Sequence, residues 1–363
     1  MRLISRSITA LVTLGCLSVG MQATGQPITL AVFGDWPYSK VLLDNAGLLL
    51  NSVNADPDVS LVMHLGDIHA GSDPCTSAGI EPPIPTANPG WNRKVYDIFA
   101  RFNDPLVYTP GDNEWTDCHR KRSGSSGDPL KELAALRSLF FAQPERTLGK
   151  QRRKVSSQAV DFDPAYPDDA QFAENLMWQE SGIVFLTVNM PGSSNDALPW
   201  QGRFANKALQ EREIAARTSA DMRWMQRAFG QADKTQAKAV VLAMQADMWE
   251  RYAAALGGRG LRHYTRFVKK LAALSVQFAR PVLLLNGDSH HYGWDQPMAD
   301  PASFTGRLHG TPAVPNLTRI IVQGATEAPA EWLKLSIDPE MPYPFSWRNV
   351  PYCSHPERQC NNW

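Results

Sequence analysis

Four carboxylates occupy the same place in four similar segments. Each segment is an apolar run that ends in Gly-Asp: residues 30–35, 61–67, 106–112 and 283–288, delivering Asp35, Asp67, Asp112 and Asp288. The last run continues as Ser289, His290 and His291. A single Gly-Asp is most often a β-turn or a helix cap. Four of them at strand ends, together with His290, point to one shared polar site. Gathering these carboxylates sets like charges against each other and disfavours ionisation. One or two metal ions among them would remove the conflict, and two ions about 3.5–4 Å apart are a standard device for activating water against phosphorus.

The elements that must position these groups alternate. Residues 27–33 and 59–65 read as strands, and Ser39 can cap a helix whose apolar face runs from Val41 to Leu50. A Pro/Gly-rich loop over 71–90 precedes a helix over 91–102 and a third strand ending at Asp112. This order is that of βαβ units, whose ligand sites lie beyond the carboxyl ends of the strands. Downstream, the pattern predicts a helix over 128–141, an irregular charged insertion near 143–171, and two antiparallel strands turning at Ser181 and Gly182. A long helix to Phe229 follows, with Met222, Trp224, Met225 and Phe229 as core. Then come a strand over 239–244, a helix over 261–278, and late strands at 319–322 and 332–337. No repeat or linker interrupts the chain, so residues 27–363 form a single domain with a disulfide-bearing C-terminal tail.

Residues 1–25 have the pattern of a secretory signal peptide: Arg2 and Arg6, a short apolar span, then small Ala23 and Gly25. The span is too short for a transmembrane helix. Thr13, standing where Leu is wanted, disfavours a lipid anchor at Cys16. The expected location is periplasmic or extracellular. After signal removal four cysteines remain, an even number that favours disulfides in an exported chain. Cys353 is expected to pair with Cys360, and Cys75 with Cys118. Lys+Arg and Asp+Glu are equal at 36 each, which argues against a nucleic-acid or anionic-membrane binder. The sequence has neither a Gly-x-Ser-x-Gly elbow nor a phosphate-cradling P-loop.

The ordered set Gly34-Asp35, Gly66-Asp67, Gly111-Asp112-Asn113-Glu114, the strand before Gln245, and Gly287-Asp288-Ser289-His290 resembles the calcineurin-like metallophosphoesterase superfamily. The resemblance implies a four-layer α/β/β/α sandwich with two mixed sheets. It also implies a dinuclear centre that hydrolyses phosphoric esters through a metal-bound hydroxide. Carried over residue by residue, one metal sees Asp35, Asp67 and His290, with Tyr38 beside them, and the second sees Asp67, Asp112, Gln245 and Asp288. Asp247 is the alternative to Gln245.

This chain departs from the family's pattern by replacing imidazoles with oxygen donors, which favours Mg, Mn, Ca or Fe over zinc. Asn113 stands where the family's leaving-group histidine would be and cannot donate a proton as imidazolium does. His291, His69 or His119 would have to supply it. Four carboxylates against two divalent ions sum to zero, so a phosphate dianion is held less strongly than usual. Esters with acidic leaving groups are the expected substrates. The rival reading is a catalytically silent relative that binds metal or an anionic ligand. Oligomeric state is not legible.

Overall fold

The computed structural model describes residues 25–75, 90–121 and 127–355. The expected signal peptide, with Cys16, lies outside the described residues, as does Cys360 of the expected C-terminal bridge. Two mixed sheets form the interior. In the first, β1 (Ile28–Phe33), β2 (Val59–His64) and β3 (Leu106–Tyr108) run parallel, while β11 (Ala330–Ile337) and β12 (Phe345–Cys353) continue the sheet antiparallel beyond β1.

The second sheet contains β4 (Ser156–Ser157), β5 (Leu176–Glu180), β6 (Ile183–Thr187), β7 (Ala239–Ala243), β8 (Val282–Asn286), β9 (Gly293–Asp295) and β10 (Leu317–Ile321). Its order is β4-β5-β6-β7-β8-β10-β9, with β6, β7, β8 and β10 parallel.

The parallel strands are apolar along their whole length because both faces are covered. On β1, Leu30 and Val32 enter a core between the sheets, whereas Ala31 and Phe33 face a core beneath helices Ala46–Asn54, Trp91–Phe99 and Pro129–Phe140. On β8, Leu283 and Leu285 join the inter-sheet core. Leu284 packs on the other side with Trp224, Phe229 and Phe267 from helices Lys207–Lys234 and Thr265–Phe278. Three cores therefore separate four layers, α/β/β/α, as expected. Among the described residues no helix is long and apolar enough to cross a membrane.

Three local expectations change. The first helix is broken at Asn45 into Lys40–Asp44 and Ala46–Asn54, with the Ser39 hydroxyl accepting from the Leu42 N–H at 3.2 Å. The segment near 143–171 is more than a solvated insertion. Buried Leu148 bridges to Leu106 beside β3, Val155 enters the inter-sheet core, and β4 pairs with β5. Most of its charges stay outside, with Asp169 buried in a pair with Arg223, while Leu148 and Val155 pack inward. Finally, β12 and β9 are additional strands. β12 contains Pro351, which an edge strand tolerates because its outer N–H groups need no partner.

Candidate functional site

The parallel strands of both sheets end at one margin of the sandwich, and backbone hydrogen bonds tie their turns together. The Asp35 N–H donates to Gly66 O at 2.9 Å, and the Gly287 N–H donates to Gln245 O at 3.1 Å. The Asp288 N–H reaches the Asp35 carboxylate at 3.2 Å, joining the ends of β1 and β8 across the two sheets. Asp35, Asp67, Asp288 and His290 all have left-handed backbones, with φ of 49°, 60°, 75° and 64°. Non-glycine residues in that region are strained, and such strain persists only where surrounding contacts hold it.

Asp67 is the centre of the cluster. Its Oδ1 accepts the Asn113 N–H at 3.1 Å. Its Oδ2 accepts the Tyr38 hydroxyl at 2.7 Å, Asn113 Nδ2 at 2.8 Å and Gln245 Nε2 at 3.3 Å. A side-chain carbon at Gly111 would fall 2.0 Å from Asp67 Oδ1, so only glycine lets β3's end approach this closely. Asp112 accepts Gln245 Nε2 at 3.0 Å on one oxygen and the Ser193 hydroxyl on the other. At Gly192 an added carbon would meet Asp288 Oδ1 at 2.6 Å and Asp112 Oδ1 at 3.0 Å, which places these two carboxylates side by side. His290 Nε2 lies 3.4 Å from Asp35 Oδ1.

The structure thus brings together Asp35, Asp67, Asp112, Gln245, Asp288 and His290, with Tyr38 and Asn113 among them. Burial, then repulsion from Asp112, holds the Asp67 carboxyl well above the usual range, and the same two causes act on Asp288. Burial also raises the Tyr38 phenol, which the Asp67 and Asp35 charges push further. Burial alone would lower His290, but its contact with Asp35 wins and raises it.

Gln245 and His291 are placed differently from the other candidates. Gln245 turns its nitrogen, not its oxygen, towards the carboxylates. Its Oε1 accepts the Gly192 N–H, a group that can only donate, and this fixes the amide the other way round. As placed, Gln245 is a donor between Asp67 and Asp112. His291 points away from the cluster. Its side chain is 78% exposed and lies 3.9 Å from Glu327. Asn113 is locked by three acceptors, Tyr38 Oη, Asp67 Oδ2 and the His69 carbonyl. His119 accepts the Gln201 N–H at 3.1 Å and is pushed down to about 4 by burial and Arg120.

Asp247, the alternative ligand, is engaged elsewhere. It pairs with buried Arg319 and accepts the Ser289 hydroxyl, while its own N–H holds Asp288 Oδ2 at 2.9 Å. Among the described residues no three His, Cys, Asp or Glu side chains stand in ready-made metal-ligand geometry. Amide and hydroxyl donors lie between the carboxylates.

Three further residues support the cluster. Ser193 opens a run of four left-handed residues, Ser193 to Asp196, and its hydroxyl lies between Asp112 and Asp117. Glu114 accepts the Asp67 and Gly111 N–H groups and the Tyr108 hydroxyl on one oxygen. Arg319 is a lone cation inside an apolar strand, a signal the sequence did carry. The Cys75–Cys118 disulfide joins the loop after Asp67 to the turn after Asp112.

No protein-family model matches the chain, and no curated protein matches it either. A solved structure described as "GAP50 the anchor in the inner membrane complex of Plasmodium" is similar at 11% identity, covering 91% of this chain and 90% of that one, with a TM-score of 0.46.

Proposed function

We propose that this chain is an exported phosphoric ester hydrolase of the calcineurin-like metallophosphoesterase kind, working with a bound divalent metal. The observation that carries this reading is the convergence of Asp35, Asp67, Asp112 and Asp288 with His290 at the strand ends. By donor type, the carboxylates of Asp35, Asp67 and Asp288 with the His290 imidazole suit a hard cation such as Mn, Mg, Ca or Fe, and they would have to draw closer together to hold it. The Asp112 side fits a second ion less well, since Gln245 Nε2 already bonds Asp67 and Asp112 there. A bound ion would polarise a phosphoryl oxygen and lower the pKa of water. The chain's own contribution is to hold Asp67 in one orientation through the donors of Tyr38, Asn113 and Gln245. Asn113 cannot protonate a leaving group as imidazolium does, so esters with acidic leaving groups are the favoured substrates. The Cys75–Cys118 disulfide supports export.

The Gln245 orientation favours a second reading, a catalytically silent relative in which hydrogen bonds replace the metal bridge. Metal analysis by mass spectrometry, run beside hydrolysis of a chromogenic aryl phosphate with and without Mn²⁺, separates the two. Near-stoichiometric metal with Mn²⁺-dependent turnover that Asp67→Asn abolishes establishes the hydrolase. Bound metal without turnover establishes the silent relative. Turnover undiminished in Asp67→Asn overturns the site assignment.

A further inference from the structure

The balanced net charge conceals an uneven distribution. Between Glu250 and Asp288 the sequence contains seven Arg or Lys and no Asp or Glu. Its first part folds at one corner of the molecule. Helix Arg251–Ala255 leads into a turn where a carbon added at Gly258 would meet Leu308 Cδ1 at 2.3 Å, so this turn touches helix Phe304–His309. Thr265 Oγ1 and His309 Nδ1, 3.0 Å apart, close the same contact.

Arg251, Arg259 and Arg262 are exposed here, and none has an ion-pair partner among the described residues. The same two packed elements carry large apolar side chains that the fold leaves in solvent: Tyr252 at 73% exposure, Leu256 at 71% and Phe304 at 53%. Tyr252 and Leu256 are four residues apart and share one side of their helical turn. They are the two most exposed large apolar residues among those described.

We infer that this corner docks on an anionic phospholipid surface. Unpaired arginines with protruding apolar tips are what such an interface selects: the cations meet lipid phosphates, and the tips enter the boundary between headgroups and acyl chains. A soluble polyanion would satisfy the arginines equally but would gain nothing from Leu256, whose exposure costs free energy until it is buried. Tyr264, at the foot of this corner, donates to Pro191 O at 3.0 Å and accepts the Asn195 N–H at 2.9 Å, so the docking face adjoins the turn that carries Ser193. The inference stands independently of the hydrolase reading.

Co-sedimentation of the full chain with phosphatidylcholine vesicles, with and without phosphatidylglycerol, tests it. Binding is expected only with the anionic lipid and should fall as salt rises. Arg259→Gln with Arg262→Gln should weaken it about fivefold per cation removed, following about 1 kcal/mol for each charge near the surface. Tyr252→Ser with Leu256→Ser should weaken it separately. All four residues are exposed, so unchanged thermal melting will show that the variants fold. No binding to phosphatidylglycerol vesicles overturns the inference. So does binding that the Tyr252/Leu256 pair does not affect while heparin competes fully, which would mark a face for soluble polyanions. Aryl phosphate turnover is read on the same samples, so the failure of either idea is distinguishable from the failure of the other.

Discussion

Gln245 Nε2 lies 3.0 Å from Asp112 Oδ1, and its partner atom Oε1 is held by the Gly192 N–H. A neutral amide therefore separates two carboxylates that would otherwise repel. Gln245→Glu keeps the shape but puts a further negative charge against Asp67 and Asp112. In the presence of a chelator this variant should melt about 5 °C or more below the parent. Added Mn²⁺ should recover most of that loss, by more than it raises the parent. A variant as stable as the parent in chelator would show that the amide is not a spacer between charges. The readout is thermal melting with EDTA and with Mn²⁺.

Glu114 organises the same margin from below. Its Oε1 accepts the Gly111 N–H at 2.8 Å, the Asp67 N–H at 3.1 Å and the Tyr108 hydroxyl at 2.7 Å, all buried. Glu114→Ala strands these donors, and each buried orphan costs about 1–3 kcal/mol. With three donors stranded, the expected loss in urea denaturation is about 3 kcal/mol or more. Glu114→Gln keeps an acceptor oxygen and should lose less than half as much. Equal losses in both variants would mean that the negative charge, not the acceptor geometry, matters.

Much of this architecture is legible in the sequence, for physical reasons. Leu283 to Leu285 and Leu30 to Val32 read as strands because cores on both faces demand unbroken apolar runs. The Gly-Asp ends read as a site because glycine is what lets neighbouring strand ends approach one another's carboxylates. What stayed hidden depends on distant partners. Gln245's orientation is set by Gly192, 53 residues earlier in the chain. β12 carries mixed polarity and Pro351 because it is an edge, so its pattern is weak. Residues Leu148 and Val155 are separated by the Lys150 to Lys154 charge run, which masks their burial. His291 is a candidate in sequence through its neighbour His290, but the left-handed turn at His290 leaves the His291 ring exposed beside Glu327.

His64 gives a pH dependence with a definite sign. Fully buried, its Nε2–H donates to Trp36 O at 2.8 Å while Nδ1 accepts the Gly66 N–H at 3.2 Å, and this second bond requires the neutral ring. Burial pushes its pKa down to about 3. The unfolded chain binds a proton near pH 6.5, whereas the folded chain refuses it until much lower pH. The stabilisation is complete above about pH 6.5 and is lost progressively as pH falls towards about 3, at about 1.4 kcal/mol per pH unit. His64→Gln removes this contribution. Urea denaturation from pH 7 to pH 5 should show a slope shallower by that amount in the variant than in the parent. Identical slopes would mean that His64 titrates alike in both states.

The Cys75–Cys118 bridge closes a loop with a sequence separation of 43 and fastens the segment after Asp67 to the turn after Asn113. A loop of that length restricts the unfolded chain by about 4 kcal/mol in the chain-entropy account. Cys75→Ser with Cys118→Ser should lose stability on that order, and a reductant should destabilise the parent but not the double variant. The effect should also reach the site. Asn113 meets Asp67 through both its backbone N–H and its side chain, and the bridge lies just beyond each partner. If Asn113 orients Asp67, the double variant will bind Mn²⁺ more weakly even at temperatures where it is fully folded. Unchanged Mn²⁺ affinity in the folded double variant would show that the bridge stabilises the chain without positioning the carboxylate.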